Sequence, residues 1–350
     1  MRILIVDTCY PAFLDAHYRA HPGLERKPYP QQWSSVMATR FGTSDAYSHN
    51  LAKLGVEAHE TVVNAESLQL AWAREHGMTA RGDALLLEQV RRFEADVVYL
   101  QNMQALDDGT LDALRKDGRL VVGQIASASP EPERVRRFDL VLTSFPHYVE
   151  RFRALGVASE YLRIAFDPRV LEALPGESAT RDVVFVGALN RLRHGRGNAV
   201  LARAGRKLPV DFWGYDLRGQ LPWSPIRRRY RGEAWGLAMY RLLQDARIAL
   251  NRHIAEAEEY ANNMRLYEAT GVGALLLTDA KRNLEELFAV GAEVVAYESA
   301  DDLVEKGRHY LAHEDERRRI AAAGQARTLR DHSYEVRMQE LVSILREHAS

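Results

Sequence analysis

The sequence has a single cysteine, Cys9, in a chain of 350 residues. One thiol excludes an intramolecular disulfide and every Cys-rich zinc or iron–sulfur site, so we expect a protein of a reducing compartment. Long apolar runs are also missing. The run from Ile3 to Val6 is shorter than the core of a signal peptide, and no stretch reaches the length of a membrane span. We therefore expect a cytoplasmic protein.

The sequence also lacks an excess of positive or negative charge. The 47 Lys and Arg residues face 48 Asp and Glu residues, for a formal net charge of -1, so no overall positive field attracts nucleic acid. The 12 histidines form no metal-binding pattern of the HExxH kind, and we predict no metal site. Charged residues make up 27% of the chain and hydrophobic ones 46%, which is typical of a globular protein. At this length two domains are expected.

Short runs rich in Val, Ile and Leu alternate with segments of helical spacing along the whole chain. This alternation predicts βαβ units and parallel sheets in an α/β protein. The predicted strands are residues 2–7, 57–63, 96–100, 119–124, 139–143 and 161–164 in the first half, and 182–187, 209–213, 247–250, 274–278 and 293–297 in the second.

Proline and glycine interrupt this pattern between residues 166 and 178, which predicts a domain boundary near residue 175. The predicted divisions are an N-terminal Rossmann-like domain at 1–175, a C-terminal Rossmann-like domain at 176–330 and a C-terminal helix at 331–350. Apolar residues of that helix recur at spacings of three and four, which predicts one buried stripe. They are Tyr334, Met338, Leu341, Ile344 and Leu345.

Open parallel sheets bind ligands beyond the carboxyl ends of their strands. The first strand leads into Asp7-Thr8-Cys9-Tyr10-Pro11, which lacks the glycines of a dinucleotide fingerprint and so disfavours NAD binding there. The strand ending at Gly187 leads into a loop with Arg191, Arg193 and Arg196. Guanidinium forks match phosphate oxygens, so this loop is a candidate diphosphate clamp. A solvated basic loop is the alternative.

A second candidate lies between residues 262 and 279. Asn262 or Asn263 can cap a helix whose first turn, with Met264 and Arg265, turns free N–H groups towards an anion. Glu268 follows about one and a half turns later, where a carboxylate can accept two ribose hydroxyls. A purely structural acid on a helix face is the alternative.

At these residues the sequence resembles the group 1 glycosyltransferases, and within them the spore-maturation-type (CgeB-like) branch. The segment from Asn263 to Asp279 carries the resemblance, continued by 283–288, 291–297 and 301–303. It is strong over about residues 180–340 and weaker in the first half, where 47–57 resembles the family's first helix. The resemblance implies a GT-B fold, two Rossmann-like domains facing each other across a cleft. It also implies a nucleotide diphosphate sugar as co-substrate, and neither a cofactor nor an essential metal.

Residue by residue, Glu268 stands where the family has its ribose-binding Glu. The family's second Glu, eight positions earlier, is Tyr260 here, and the Arg that directly follows the glycine of its phosphate loop is Ala188. The basic residue five positions later is matched by Arg193. The resemblance therefore makes Arg193 the main phosphate and catalytic candidate, with Arg191 and Arg196 as substitutes.

The remaining candidates follow strands. Around Gly214, Trp213 and Tyr215 stand where the family places the nucleotide base, although aromatic core filling is the alternative. His253 is a donor-side candidate or a structural histidine. The first half would supply the acceptor side, for which the candidates are Thr8, Ser44, Asn102 and Ser127. Asp45 is a candidate base if transfer inverts the anomeric carbon, or an ordinary helix N-cap.

Residues 227–231, close to Trp223 and Trp235, form a basic and aromatic segment that suits an anionic membrane or a lipid diphosphate, or is a solvated face. The sequence thus predicts a metal-independent glycosyltransferase, with retention favoured by the resemblance. The acceptor would be a glycan, a lipid-linked compound or a small molecule. Three alternatives remain open: a nucleotide-sugar epimerase or hydrolase, an inactive nucleotide-binding subunit suggested by Ala188 and Tyr260, and an NAD-linked oxidoreductase.

Overall fold

The computed structural model describes residues 1–174, 176 and 180–348. The predicted domain boundary is near residue 175. Residues 175 and 177–179 lie outside the described residues. The chain divides into two compact units, here called the N-terminal and C-terminal domains. The N-terminal domain is Met1–Arg163 together with the C-terminal segment that starts at Tyr334, and the C-terminal domain is Ile164–Ser333.

Within the described residues, the strands form one parallel sheet in each domain. In chain order they are β1 (Arg2–Asp7), β2 (Glu57–Val62), β3 (Val97–Leu100), β4 (Leu120–Ile125), β5 (Leu140–Thr143), β6 (Ala158–Tyr161), β7 (Arg181–Val186), β8 (Val210–Trp213), β9 (Ala246–Leu250), β10 (Leu275–Asp279) and β11 (Val295–Tyr297).

Helices follow most strands and cover the sheets. They are α1 (Pro11–Ala20), α2 (Tyr29–Met37), α3 (Ala46–Lys53), α4 (Glu66–Glu75), α5 (Gly82–Phe93), α6 (Asp108–Lys116), α7 (Pro132–Val135), α8 (Pro146–Ala154), α9 (Arg169–Ala173), α10 (Gly195–Lys207), α11 (Pro225–Arg228), α12 (Gly236–Gln244), α13 (Met264–Gly271), α14 (Leu284–Leu287), α15 (Ala300–Ala312), α16 (Glu314–Asp331) and α17 (Tyr334–His348). In the described part of the chain, none of them is long and apolar enough to cross a membrane.

Apolar runs determine where the strands lie. All residues of β3 and β5 are buried, as expected for central strands of a parallel sheet with helices on both faces. A strand occurs at or beside each of the predicted places. The largest shift concerns the predicted strand at 161–164, because β6 ends at Tyr161. Leu162 and Ile164 are buried after the strand has ended, so their apolar character reflects packing rather than a position in the sheet.

Helix α17 packs in the N-terminal domain, against α3. The ring of Tyr334 lies 5.4 Å from that of Tyr47, and Lys53 forms an ion pair with Glu335 at 3.1 Å. Its apolar stripe therefore completes the core of the first domain, although about 170 residues of the second domain intervene in sequence. The structure thus assigns to the N-terminal domain the segment that sequence periodicity predicts only as a helix of its own.

Strand order shows where each sheet opens. The N-terminal sheet has the order β2-β1-β3-β4-β5-β6 and the C-terminal sheet the order β11-β10-β9-β7-β8. In both, the chain winds outward in opposite directions from one point, between β1 and β3 and between β7 and β9. Helices leave opposite faces at such a switch point, so a crevice forms beyond the carboxyl ends of the two strands. Each domain therefore has one preferred place for a ligand.

Candidate functional site

The switch point of the C-terminal domain is occupied by Arg252, which directly follows β9 and Asn251. Its guanidinium donates a hydrogen bond to the carbonyl of Ala188 at 3.0 Å and packs on the first turn of α10. A Cβ at Gly197 would lie 2.8 Å from Cδ of Arg252. Burial lowers the pKa of Arg252, and its Nε has no partner among the described residues.

The first turn of α10 is open to an anion. His194 stands at its N-cap position without a side-chain capping bond, and the first turn contains no acidic residue. Burial, together with the charges of Arg252 and Arg193, lowers the pKa of His194, so positive charge surrounds this helix start. Free N–H groups and the helix dipole add to that field.

The loop between β7 and α10 is held by Asn190, which is buried. Its Oδ1 accepts the backbone N–H of Arg193 at 3.0 Å, and its Nδ2 donates to Asp216 at 2.7 Å. The three arginines predicted as a phosphate clamp are all exposed, and no ion pair with another described residue engages them: Arg191, Arg193 and Arg196. The backbone of the loop is thus fixed while its guanidinium groups remain available.

The start of α13 lies beside the same switch point. Asn263 is its cap, because its Oδ1 accepts the N–H of Leu266 at 3.2 Å. The amides of Asn263 and Asn251 also bond to each other, at 3.0 and 3.2 Å, which fixes the helix start to the end of β9. Asn262 is buried, and its Nδ2 lacks a partner among the described residues. Met264, the first helical residue, is half-buried.

Glu268 is only 4% exposed. Its carboxylate forms an ion pair with Arg265 at 2.6 Å. Burial raises the pKa of Glu268, and Arg265 and Tyr240 oppose that shift. Arg265 reaches the carbonyl of Val186, the last residue of β7, at 3.3 Å. Glu268 therefore lies close to the switch point, in a pair that the sequence pattern does not reveal.

His253 has a fully buried side chain. Its Nδ1 lies 2.7 Å from the carboxylate of Asp279, which also accepts the backbone N–H of His253 at 3.0 Å. Burial alone would raise the pKa of Asp279, but the bond and charge of His253 lower it. With Nδ1 as the donor to Asp279, Nε2 is the free ring atom, and it has no partner in the described part of the chain.

The aromatic candidates lie on the β8 side of β7. The guanidinium of Arg181 lies 5.7 Å from the ring of Trp213, and Tyr215 stacks on Trp235 with centroids 5.6 Å apart. Gly214 between them has φ of +142°, and a Cβ there would come within 1.8 Å of the carbonyl oxygen of Gly187. Glycine at 214 therefore allows the loops after β7 and β8 to touch.

The N-terminal domain has its own cavity, of about 620 Å³, at the switch point between β1 and β3. Thr8 and Asn102 both line it, and Asn102 donates to the hydroxyl of Thr8 at 2.9 Å. Asp7 lines it as well, and burial raises its pKa to about 6 although the N–H of Thr8 opposes the shift. The sequence analysis does not include Asp7 among the candidate residues. Its position at the end of the first strand is the signal that could have identified it.

The other acceptor-side candidates lie outside this cavity's lining. Ser44 donates its hydroxyl to the carbonyl of Met37 at 2.7 Å, and Ser127 is exposed beyond β4. Asp45 precedes α3 at the N-cap position, but its side chain makes no capping bond. Instead it forms an ion pair with Arg40 at 2.5 Å. Local turns hold Ser44 and Asp45 in place, and the structure brings together only Thr8 and Asn102.

Residues 193–343 match a family described as glycosyl transferase-like. Solved structures match the whole chain. The structure of HepE from Anabaena with UDP-glucose aligns with 99% of this chain and all of its own at 13% identity and a TM-score of 0.62. The chain has the GT-B fold. No curated protein sequence matches it.

Two further GT-B structures show the same likeness. Sucrose-phosphate synthase from Thermosynechococcus elongatus aligns with 99% of this chain and 98% of its own, at 13% identity and a TM-score of 0.58. AviGT4, a glycosyltransferase of avilamycin A biosynthesis, aligns with 100% and 98%, at 16% identity and 0.57. The family match and these neighbours agree on one enzyme class, the glycosyltransferases. At such identities the structural likeness establishes the fold, so the roles of single residues rest on the geometry described above.

Proposed function

We propose that this protein is a glycosyltransferase whose nucleotide diphosphate sugar binds at the switch point of the C-terminal domain. The main observation that supports the proposal is the position of Arg252. Its guanidinium contacts the carbonyl of Ala188, at the position where the resembled family has an arginine in sequence. The positive charge missing at position 188 is thus supplied by the strand next to it, which also favours an active enzyme over an inactive subunit.

Each part of the donor has a candidate partner. Arg252, Arg193 and the first turns of α10 and α13 would hold the diphosphate, with Arg191 and Arg196 at its rim. Glu268 would accept the ribose hydroxyls, sharing its carboxylate between them and Arg265. That a solved GT-B neighbour is described with UDP-glucose, and another form of it with UDP and glucose, supports a nucleotide sugar as the donor class.

Charge on the diphosphate grows as the bond to the sugar breaks. Fixed guanidinium groups and helix dipoles stabilise that charge more in the transition state than in the ground state, which is the condition for catalysis. We therefore propose transfer without an essential metal. Activity should persist in excess EDTA, and a loss on chelation that magnesium or manganese reverses would refute this part. Retention, and the spore-maturation-type branch, are proposed on the sequence resemblance.

The acceptor is proposed to bind in the cavity beside Thr8 and Asn102. Its lining offers hydroxyl, amide and carboxyl groups, which suit the hydroxyl groups of a glycan, a lipid-linked sugar or a small molecule. Asp45 would take the acceptor proton only in an inverting reaction, in competition with its ion pair to Arg40. No nucleic-acid partner is proposed.

A membrane contact is proposed for the segment around α11. Trp223 is 71% exposed and Leu221 is 39% exposed, with Arg227 and Arg228 exposed beside them. An exposed indole among arginines suits the headgroup region of an anionic bilayer. Trp235 is half-buried and stacks on Tyr215, so the proposal rests on Trp223. Sedimentation with phosphatidylglycerol vesicles but not with phosphatidylcholine vesicles is expected, and equal sedimentation would refute the contact.

The direct test is a binding and product screen. The purified protein is titrated with UDP, GDP, dTDP, CDP and ADP. It is then incubated with nucleotide sugars of the same five nucleotides, with and without candidate acceptors. A glycosylated product that requires the acceptor supports the proposal. Sugar release or epimerisation that ignores the acceptor would favour a hydrolase or epimerase instead.

A further inference from the structure

The C-terminal domain has a second cavity, of about 550 Å³, at the amino-terminal edge of its sheet. It is lined by the start of β9, the turn between α13 and β10, and the first turns of α16. Arg247, Arg317 and Arg318 all belong to its lining. The switch point beyond Gly187 and Asn251 lies at the carboxyl edge of the same sheet, so this cavity is separate from the proposed donor site.

Arg317 is the unusual residue of this cavity, because it is only 5% exposed. Of the five N–H donors of a guanidinium, one hydrogen bond is made, to the carbonyl of Arg247 at 3.3 Å. The closest carboxylate oxygen, on Glu314, lies 3.8 Å away, and Nε has no partner among the described residues. A buried cation with so few partners is costly unless another group pairs with it.

The other charges around the cavity are already paired. Arg318 holds Glu314 at 2.6 Å. Arg247 is bound to Asp182 at 3.0 Å and to the carbonyl of Leu311 at 2.7 Å. Three guanidinium groups therefore face two carboxylates. The remaining lining residues with long polar side chains, Gln244 and Gln325, are neutral, and Gln325 donates to the carbonyl of Gly271. Glu314 is shared by all three, at 2.6 Å from Arg318, 3.8 Å from Arg317 and 3.9 Å from Arg247. One positive charge is left over, and the buried Arg317 is the group that has only this shared, more distant counter-ion.

We infer that this cavity binds a phosphate group. A phosphate oxygen pair matches the fork of a guanidinium, and Arg317 and Arg318 are successive residues on one helix that both line the cavity. The volume exceeds that of a lone phosphate ion and is typical of a small-molecule site. The ligand class is therefore a small phosphate ester such as a sugar phosphate, with free inorganic phosphate as the minimal form. The inference does not depend on the proposed donor site.

Arg318 and Arg319 provide a matched pair for the test. Both are exposed and carry the same charge on the same helix, but only Arg318 lines the cavity. Calorimetric titration with inorganic phosphate and with glucose 6-phosphate is carried out on the whole 350-residue chain and its variants. Arg318→Gln should weaken binding about tenfold or more, since it removes a charge-assisted partner. Arg319→Gln should change it by no more than about twofold.

Glu314→Gln should have the opposite effect on the affinity for phosphate. It removes the carboxylate that competes with the ligand for Arg318 and Arg317, so phosphate should bind more tightly than to the unmodified protein. Arg317→Lys, which keeps the charge but loses the fork, should weaken binding in a variant whose melting shows that it folds. Any phosphate bound at the donor site contributes equally to all these variants, because none of them alters that edge.

The two ligands identify the source of the phosphate. Tighter binding of glucose 6-phosphate indicates a phosphorylated sugar, and equal binding indicates free phosphate. Both results support the inference when Arg318→Gln and Arg319→Gln differ as expected. Equal losses in these two variants, weaker binding to Glu314→Gln, or no saturable binding of either ligand would overturn it.

Discussion

Arg252 lies so close to Gly197 that a Cβ on the glycine would come within 2.8 Å of Cδ and 2.9 Å of Nη1 of the arginine. The two residues come from different βα units, the end of β9 and the first turn of α10. Glycine at this point lets the guanidinium lie against the backbone at the start of α10. The contact therefore places a half-buried positive charge at the end of the helix that attracts anions.

Removing the guanidinium should weaken nucleoside diphosphate binding. We expect Arg252→Gln to cost about 1.5–3 kcal/mol for each charge-assisted bond to the diphosphate, and to lower turnover because the leaving group carries more charge in the transition state. Calorimetry and initial rates measure both effects. Arg203→Gln, an exposed residue of α10 paired with Asp301, is the control. Equal effects of the two substitutions would remove Arg252 from the donor site.

A glycine pair tests the same contact without touching a charge. Gly197→Ala must displace Arg252, whereas Gly195→Ala meets nothing within 4 Å. Alanine favours a helix over glycine by up to about 1 kcal/mol, so neither substitution should reduce stability through the helix itself. Gly197→Ala should weaken diphosphate binding and Gly195→Ala should not. If both bind as the unmodified protein does, the position of Arg252 is irrelevant to binding.

Arg193 should act on the distal phosphate. Arg193→Ala should weaken nucleoside diphosphate binding and lower turnover together, and Arg193→Lys should recover part, because a point charge replaces a planar fork. Nucleoside monophosphate binding should change less than diphosphate binding. Calorimetry with both nucleotides measures the difference. An equal loss of affinity for the two nucleotides, or no loss, would show that Arg193 is a solvated loop residue. Arg191 and Arg196 would then be tested in its place.

Glu268 should matter for both binding and stability. Glu268→Gln should weaken donor binding through the ribose hydroxyls. It also leaves Arg265, whose side chain is 13% exposed, without its counter-ion, and the cost in the free energy of unfolding should be at or below the roughly 3–5 kcal/mol typical of a fully buried pair. Urea unfolding measures the stability loss. A 2′,3′-dideoxy nucleotide separates the two roles, since it should lose affinity for the unmodified protein but not for Glu268→Gln. An equal loss of affinity in both proteins would show that the ribose contacts another group.

Asp7 predicts a pH dependence of stability. Burial raises its pKa to about 6 from an ordinary value of 3.8, so between these values the folded state binds more protons than the unfolded state. Its contribution to stability is therefore fully present below pH 3.8 and is lost as the pH rises through about 6. Asp7→Asn should be relatively more stable at pH 7 than at pH 4, measured by urea unfolding at both. A pH-independent difference would contradict the raised pKa.

The sequence alone determined the approximate position of most strands and the start of α13, because these depend on residues that are close together in the chain. Apolar runs of four to six residues are buried wherever they lie in a parallel sheet, and Asn263 caps α13 through the N–H of Leu266, three positions on. The switch-point rule also directed attention to the loops after Gly187 and after the first strand. The same rule predicts Thr8 and Asn102 at one edge of the sheet, and in the structure Asn102 donates a hydrogen bond to Thr8.

Tertiary structure decided what depends on residues far apart in sequence. Arg252 reaches the carbonyl of Ala188 across 64 positions, and no local pattern in the sequence indicates this contact. Tyr240, from another helix, opposes the rise in the pKa of Glu268 that burial causes. Helix α17 belongs to the first domain although it follows the second in sequence, and Arg317 shares its distant counter-ion Glu314 with two other arginines. The physical reason is common to all of them. Burial and charge pairing depend on which distant surfaces the fold brings together, and periodicity in the sequence specifies only which side of each element will be buried.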